Sequence, residues 1–281
     1  MTMQDTIAAL TTAGYAVKTA AVHKTNRTED AFAVQIAGNT VAPVITEDIL
    51  TELLTPAPES EIELIERILE FTNAHSKQTQ EIANQITDPD FVRSHIHLDV
   101  CNADWNQELL SDTPHRLVAG TDLAVYGRVL GEEIGGTVRL TYNLADILGI
   151  HPDDLLDQAV RNSAQYTIKD MAELFGIGAG SDPLMLVLMT AEDPSSASVV
   201  YNSAALDEAC DRFRSDSLFV LPSSIFEVIA VPASISQHPA ELAAMVSEIN
   251  ENVVDRNIQL SEHVFRYRKG AGFETQQILA Q

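Results

Sequence analysis

The stretch LFVLPSSIFEVIAVP, residues 218–232, decides how the second half of this chain folds. Two short apolar runs within it, Leu218–Leu221 and Glu227–Val231, have the length and the β-branched content of buried strands. The Pro-Ser-Ser between them is typical of a turn, because proline and serine favour bends in the backbone. We therefore expect two neighbouring strands of one sheet. The apolar spacing of Pro239–Val253 predicts a helix that covers one face of that sheet.

Residues 95–281, which surround this stretch, alternate strand patterns with helix patterns. Leu117–Leu130 and Gly136–Tyr142 have the alternation of a hairpin, and Tyr166–Phe175 is predicted to be a helix. Strands that arrive as hairpins with helices between them indicate an α+β fold, with an antiparallel or mixed sheet and flanking helices.

Residues 1–94 predict a smaller α-β-β-β-α unit that precedes this domain. A first helix over Asp5–Thr12 is followed by three strand patterns, and Ser60 caps a long helix that extends to about Thr87. The predicted domains are therefore 1–94 and 95–281.

The net charge of −24, from 17 Lys and Arg against 41 Asp and Glu, limits the partners of this chain. Direct binding of nucleic acid is disfavoured, because phosphate contacts need clustered Lys and Arg. The chain has no run of about 18 apolar residues, so we expect no membrane span. Its start lacks the basic residues of a secretory signal, and two cysteines are too few for a disulfide framework. We expect a cytoplasmic protein.

Several further stretches carry a family resemblance: WNQELL at 105–110, DLAVY at 122–126, MVSEIN at 245–250 and LSEHVFRY at 260–267. With the turn, they resemble a family of uncharacterised proteins that have an L-P-S-S-I-H-E-V-I-x-x-P core and are common in gut-type anaerobic bacteria and their mobile elements. The resemblance implies an intracellular α+β protein and no particular activity. Phe226 stands where these relatives usually have histidine, so a base or metal ligand at that place is lost in this chain.

A metal site is one candidate for chemistry. His95, His97, Asp99 and Cys101 alternate, so on a strand they would project from one face. These residue types are ligands for zinc or iron. Four neighbours on one straight strand cannot surround a tetrahedral ion alone, and the alternative is a polar strand face with a buried cysteine. We expect no metal ion and no other cofactor.

A serine nucleophile is the second candidate, at Ser223, Ser224 and Glu227. Such a nucleophile needs a base within hydrogen-bond reach and a site for the oxyanion. The chain has no Gly-x-Ser-x-Gly elbow, and Phe226 replaces the adjacent base. The alternative is that these hydroxyls bond backbone groups in the bend.

Interface residues are the third candidate, in two acidic clusters and the lone tryptophan. Acidic residues at helix N-termini are also favoured by the helix dipole, and tryptophan is also a frequent core residue, so both readings stay open. The candidates are Glu59, Glu61, Glu63, Glu66, Asp153, Asp154, Asp157 and Trp105.

The leading functional prediction is a non-enzymatic protein that acts by binding another protein. One specific form is a mobile-element-encoded inhibitor that presents acidic surface to the basic channel of a nucleic-acid-handling host defence machine. The alternative is a small-molecule-binding or hydrolytic enzyme centred on Ser223, Ser224 and Glu227.

Overall fold

The computed structural model describes residues 2–36, 41–131, 136–174, 176, 183–192, 194–222, 224–234, 239–252 and 254–275. Within these residues, helices and antiparallel strands form three sheets of three, four and six strands. The predicted α+β class is confirmed. No helix in the described ranges combines the length and the apolar character that a membrane crossing requires.

The N-terminal unit is an antiparallel sheet with helices packed against one face. Threonine at position 2 caps the first helix through reciprocal bonds with Asp5, and Ser60 caps the long helix. The helices and the sheet close a core around Phe32 and Val34 of the sheet and Leu64 of the long helix. The elements are α1 (Met3–Thr12), β1 (Ala16–Lys24), β2 (Arg27–Gln35), β3 (Ile45–Thr46), α2 (Glu47–Leu53) and α3 (Glu61–Ile86), and the strand order is β1-β2-β3.

The second sheet is built around one long central strand. This strand, β6, pairs antiparallel with β4 over seven residue positions and with two short strands, one near each of its ends. Four helices accompany the sheet. The elements are α4 (Pro89–His95), β4 (Ile96–Asn102), α5 (Gln107–Ser111), β5 (His115–Leu117), β6 (Leu123–Gly131), β7 (Gly136–Arg139), α6 (Tyr142–Leu148) and α7 (Pro152–Asn162).

The third sheet contains the stretch that opened the sequence analysis. Its six strands are in the order β13-β12-β10-β11-β9-β8, and all the pairs are antiparallel. The elements are β8 (Tyr166–Asp170), α8 (Met171–Leu174), β9 (Leu186–Thr190), a 3-10 helix (Ala197–Tyr201), α9 (Ser203–Phe213), β10 (Ser217–Leu221), β11 (Val228–Pro232), α10 (Pro239–Asn252), a 3-10 helix (Arg256–Ile258), β12 (Phe265–Arg268) and β13 (Gly272–Phe273).

The prediction for the LFVLPSSIFEVIAVP stretch is confirmed. Strands β10 and β11 are direct neighbours, with Phe219 opposite Val231. Helix α10 covers one face of the pair, because its Val246 belongs to the same buried apolar cluster as both of these side chains. The opposite face, which includes Leu218 and Val220, joins the main core together with the second sheet.

Three local predictions are wrong. Tyr166–Phe175 is not one helix: Tyr166–Asp170 is a strand, because it pairs along its whole length with β9, and only Met171–Leu174 is helical, while Phe175 lies outside the described residues. Leu117–Leu130 is not one strand, since β5 ends at Leu117 and β6 begins at Leu123. His95 is not on a strand but ends helix α4.

A mostly buried carboxylate, Asp122, links the second sheet to the C-terminal segment. Its Oδ2 accepts hydrogen bonds from Nδ2 of Asn102 (2.8 Å) and Oγ of Ser261 (2.8 Å), and it lies 2.9 Å from Nδ1 of His263. Asn102 and Ser261 are both almost fully buried, so neither donor has access to bulk water. One acceptor therefore satisfies two buried donors, Asn102 and Ser261, that lie far apart in the sequence.

Replacement of this acceptor is expected to destabilise the fold. Asp122→Ala leaves the buried donors of Asn102 and Ser261 unpaired, and we expect a loss of about 3 kcal/mol in the free energy of unfolding. Urea denaturation followed by circular dichroism measures it. The matched control is Asp146→Ala on the exposed side of α6, which we expect to stay within about 0.5 kcal/mol of wild type. Equal stabilities of the two variants would contradict this assignment.

Candidate functional site

The tip of the β1–β2 hairpin reaches from the N-terminal unit to the second sheet. Lys24 pairs with Arg27, so the turn consists of only two residues, Thr25 and Asn26. Asn26 has a φ of 60°, in the left-handed region that asparagine tolerates better than most residues. The side-chain amide of Asn26 therefore lies in the turn, beyond the last pair of strand residues.

Asn26 makes a reciprocal contact with Asn106 at the start of α5. The backbone N–H of Asn26 donates to Oδ1 of Asn106 (2.6 Å), and Nδ2 of Asn106 donates to Oδ1 of Asn26 (2.9 Å). Nδ2 of Asn26 also donates to the carbonyl oxygens of Arg256 (2.9 Å) and Gln259 (2.7 Å). One turn residue thus joins the hairpin, helix α5 and the segment after α10.

Trp105 lies beside this contact and is 43% exposed. Its backbone position is fixed, because Oδ1 of Asn102 accepts hydrogen bonds from the N–H groups of Asp104 (3.0 Å) and Trp105 (3.2 Å). Asn102 is itself held by Asp122. The indole is therefore a partly exposed aromatic group on a rigid turn.

A cavity of about 380 Å³ lies between the hairpin tip and α5. Its wall combines the indole with both cationic and acidic side chains, and it includes residues from each side of the Asn26–Asn106 contact. The lining residues are Lys24, Asn26, Arg27, Thr28, Asp104, Trp105, Asn106, Gln107, Glu108 and Leu109.

The two cationic residues of the wall, Lys24 and Arg27, are already paired with carboxylates that do not line the cavity. Lys24 forms an ion pair with Glu29, and Arg27 donates to Asp48 at 3.0 Å. Glu108 stays 73% exposed, although its Oε2 accepts a hydrogen bond from Thr28 (2.6 Å) and lies 3.7 Å from Nδ1 of His23. Together with Asp104, two cations are opposed by four carboxylates, which gives the cavity and its ion-pair partners a formal charge of −2.

A comparison with known protein families identifies the family of this chain. The model of a family of unknown function, DUF5688, matches residues 1–269. The chain belongs to the DUF5688 family. The match includes both the hairpin of the N-terminal unit and the Trp105 turn. Neither the curated proteins nor the solved structures contain a match to the chain.

The first acidic cluster of this DUF5688 protein lies at the start of α3. Glu59, Glu61 and Glu66 are exposed, while Glu63 accepts hydrogen bonds from the N–H of Glu59 (2.7 Å) and from Arg67 (2.6 Å). These two donors hold the pKa of the Glu63 carboxyl below its usual value. Glu63 is thus engaged within the protein, and the other three remain available at the surface.

The second acidic cluster lies at the start of α7. Asp157 accepts a hydrogen bond from Arg116 (2.7 Å), and this bond raises the pKa of the guanidinium. Asp153 lies 4.0 Å from the same arginine, and Asp154 is exposed. An arginine therefore partly neutralises Glu63 in the first cluster, and another lies against both Asp157 and Asp153 in the second.

The fold places His95 in α4, whereas His97, Asp99 and the buried Cys101 lie at alternate positions of strand β4. His95 stacks on Phe91 within α4, at a ring distance of 4.1 Å, and is not on the strand. His97 lies 3.8 Å from Glu192, and Asp99 accepts a hydrogen bond from Ser196 (3.2 Å). Within the described ranges, no group of three or more His, Cys, Asp or Glu side chains is placed to hold a metal ion.

The serine candidate shows a structural arrangement. Ser224 is only 5% exposed; its Oγ donates to Glu227 (2.6 Å) and accepts from the N–H of Phe226 (3.1 Å). Both hydrogen-bonding directions of the hydroxyl are thus used to fix the bend. Ser223 lies outside the described residues.

Asn26, Asn102, Asn106 and Asp122 were not identified from the sequence. Asn26 carries one usable signal, since asparagine tolerates the left-handed conformation that tight turns require and here stands between two strand patterns. The other three have no local signal. Asn106 lies 80 positions from the residue that it contacts, and Ser261 lies 139 positions from Asp122.

The two thiols are expected to be unreactive in the native protein. Burial, followed by the nearby Asp99, raises the pKa of Cys101 far above its usual value, and burial raises the pKa of Cys210 to about 11. The thiolate is the reactive species, so a disulfide reagent at pH 8 should label neither residue until denaturant is added. Rapid labelling of one thiol per native chain at this pH would contradict the assigned burial.

Proposed function

We propose that this protein acts by binding another protein, with the cavity beside Trp105 as the anchor point. The observation that carries the proposal is that Trp105, the only tryptophan in the chain, is 43% exposed and lines a cavity of about 380 Å³. Tryptophan is enriched among the few residues that contribute most to protein–protein affinity.

The rigidity of the site supports this proposal. The turn at Trp105 is held by Asn102, and the opposite wall is held by the Asn26–Asn106 contact. A surface that is ordered before binding loses less conformational entropy when the partner arrives. The cavity therefore has the properties of a preformed anchor pocket.

The charge of the chain supports a basic partner. A net charge of −24 repels nucleic acid and steers positively charged proteins toward the surface. An inhibitor encoded by a mobile element, which occupies the nucleic-acid channel of a host defence protein, is one specific form of this proposal. The two buried, unpaired cysteines accord with a reducing, cytoplasmic setting for it.

A hydrolytic enzyme centred on Ser224 and Glu227 has less support. The Ser224 hydroxyl is buried and donates to Glu227, so the carboxylate orients the hydroxyl within the bend. Neither group lines the cavity beside Trp105.

The test is affinity capture of the partner from the producing cells, followed by binding measurements with the purified pair. We expect Trp105→Ala to weaken binding by about 30-fold, which corresponds to a hot-spot loss of about 2 kcal/mol. The matched control is Tyr142→Ala, which removes another exposed aromatic group (46% exposed) outside the cavity and should leave the affinity unchanged.

Salt provides the second measurement on the same pair. Association should slow steeply as ionic strength rises, and a Glu61→Lys, Glu66→Lys variant or an Asp153→Lys, Asp154→Lys variant should slow it further at low salt. A partner whose affinity is flat in salt and unaffected by Trp105→Ala would contradict the proposal.

A further inference from the structure

We infer that the cavity beside Trp105 receives an arginine side chain of the partner protein. This inference deepens the proposed function and rests on it. It assigns a chemical class to the group that the partner inserts, and it identifies Trp105, Asp104 and Glu108 as the residues that recognise that group.

The exposed indole supplies an aromatic surface for a cation. Its position on the cavity wall, at 43% exposure, leaves part of the ring open to a ligand. Tryptophan is the side chain whose ring face attracts cations most strongly, and the attraction increases when the cation is removed from water. A concave site favours such removal.

The charges around the cavity select a cation over an anion. Lys24 and Arg27 are held by Glu29 and Asp48, so an incoming phosphate would compete with existing ion pairs. Asp104 is exposed beside the indole, and Glu108 is 73% exposed. A guanidinium that lies against Trp105 therefore meets two accessible carboxylates at the rim.

The geometry favours arginine over lysine. A planar guanidinium stacks on an aromatic face and can also donate parallel hydrogen bonds to a carboxylate, whereas an ammonium is a compact and strongly hydrated charge. The cavity volume of about 380 Å³ is at the small end of the range for ligand pockets, about 300–1,000 Å³. It suits one long side chain.

The lone tryptophan makes the test direct, because its fluorescence reports on this cavity alone. The full-length protein is titrated with three capped tripeptides, Gly-X-Gly, in which X is arginine, lysine or the neutral arginine analogue citrulline. We expect a saturable change in emission with the arginine peptide, about tenfold weaker binding of the lysine peptide and no saturable change with the citrulline peptide.

Two variants define the contribution of the carboxylates. The double variant Asp104→Asn, Glu108→Gln should bind the arginine peptide about tenfold more weakly than wild type. The emission of the free variant should stay native-like, because both substitutions preserve the shape of the side chain. The control Asp146→Asn, Glu173→Gln removes two exposed carboxylates on α6 and α8, outside the cavity, and should bind as wild type. Circular dichroism confirms that each variant is folded.

The inference is overturned if citrulline binds as well as arginine, if the carboxylate variant binds as tightly as wild type, or if inorganic phosphate alone produces the saturable change. These outcomes are separable from failure of the proposed function. If Trp105→Ala loses partner binding but the peptides show no arginine selectivity, the anchor is retained and recognition of a guanidinium is rejected. If the arginine peptide binds selectively but no protein partner is found, recognition of a guanidinium is retained and the protein-binding function is rejected.

Discussion

The hydrogen bonds between Asn26 and Asn106 are the constraint on which the candidate site depends. Asn26 uses its backbone N–H, its side-chain oxygen and its side-chain nitrogen, and the four bonds lead to two separate segments, the start of α5 and the segment after α10. Each such bond contributes about 1 kcal/mol net, but a broken one leaves Asn106, which is 3% exposed, with buried polar atoms unpaired. The hairpin tip is therefore held in one position against α5, and the cavity has a fixed width.

A second set of polar contacts, between Asp122, Asn102 and the backbone of Trp105, supports the same junction. Asp122 holds Asn102, and Asn102 holds the backbone of Trp105, so the indole is connected to the C-terminal segment through Ser261 and Asp122. Buried hydrogen bonds of this kind favour one geometry, because breaking one of them leaves a buried polar group unpaired. An anchor pocket benefits from that property, since little order remains to be gained when a partner binds.

Much of the fold could be predicted from local pattern, and most of the site could not. The β10–β11 pair follows from two apolar runs around Pro222, and the cap at Ser60 follows from residue type. Tyr166–Asp170 was mispredicted because pairing with β9 overrides its helical spacing. His95 was mispredicted because alternation continues across the junction from α4 to β4.

The site combines Trp105, which can be identified from the sequence, with polar residues that cannot. Trp105 stands out because it is the only tryptophan in the chain, yet its backbone is held by Asn102 and its neighbour Asn106 by Asn26, which look like ordinary polar residues. Asn26 lies 80 positions from Asn106 and 233 from Gln259, so a single sequence contains no pattern that links them. Contacts of this separation are defined by the tertiary structure alone.

The measurement that tests this account most directly is the titration of an Asn26→Gly variant with the arginine tripeptide. Glycine adopts a positive φ without strain, so the turn is preserved while the side-chain bonds to Asn106, Arg256 and Gln259 are removed. Trp105, Asp104 and Glu108 all remain. The account predicts a native circular dichroism spectrum and at least a tenfold loss of affinity for the arginine peptide, because the cavity loses its fixed wall. Wild-type affinity in this variant would contradict the claim that the junction between the hairpin tip and α5 forms the binding site.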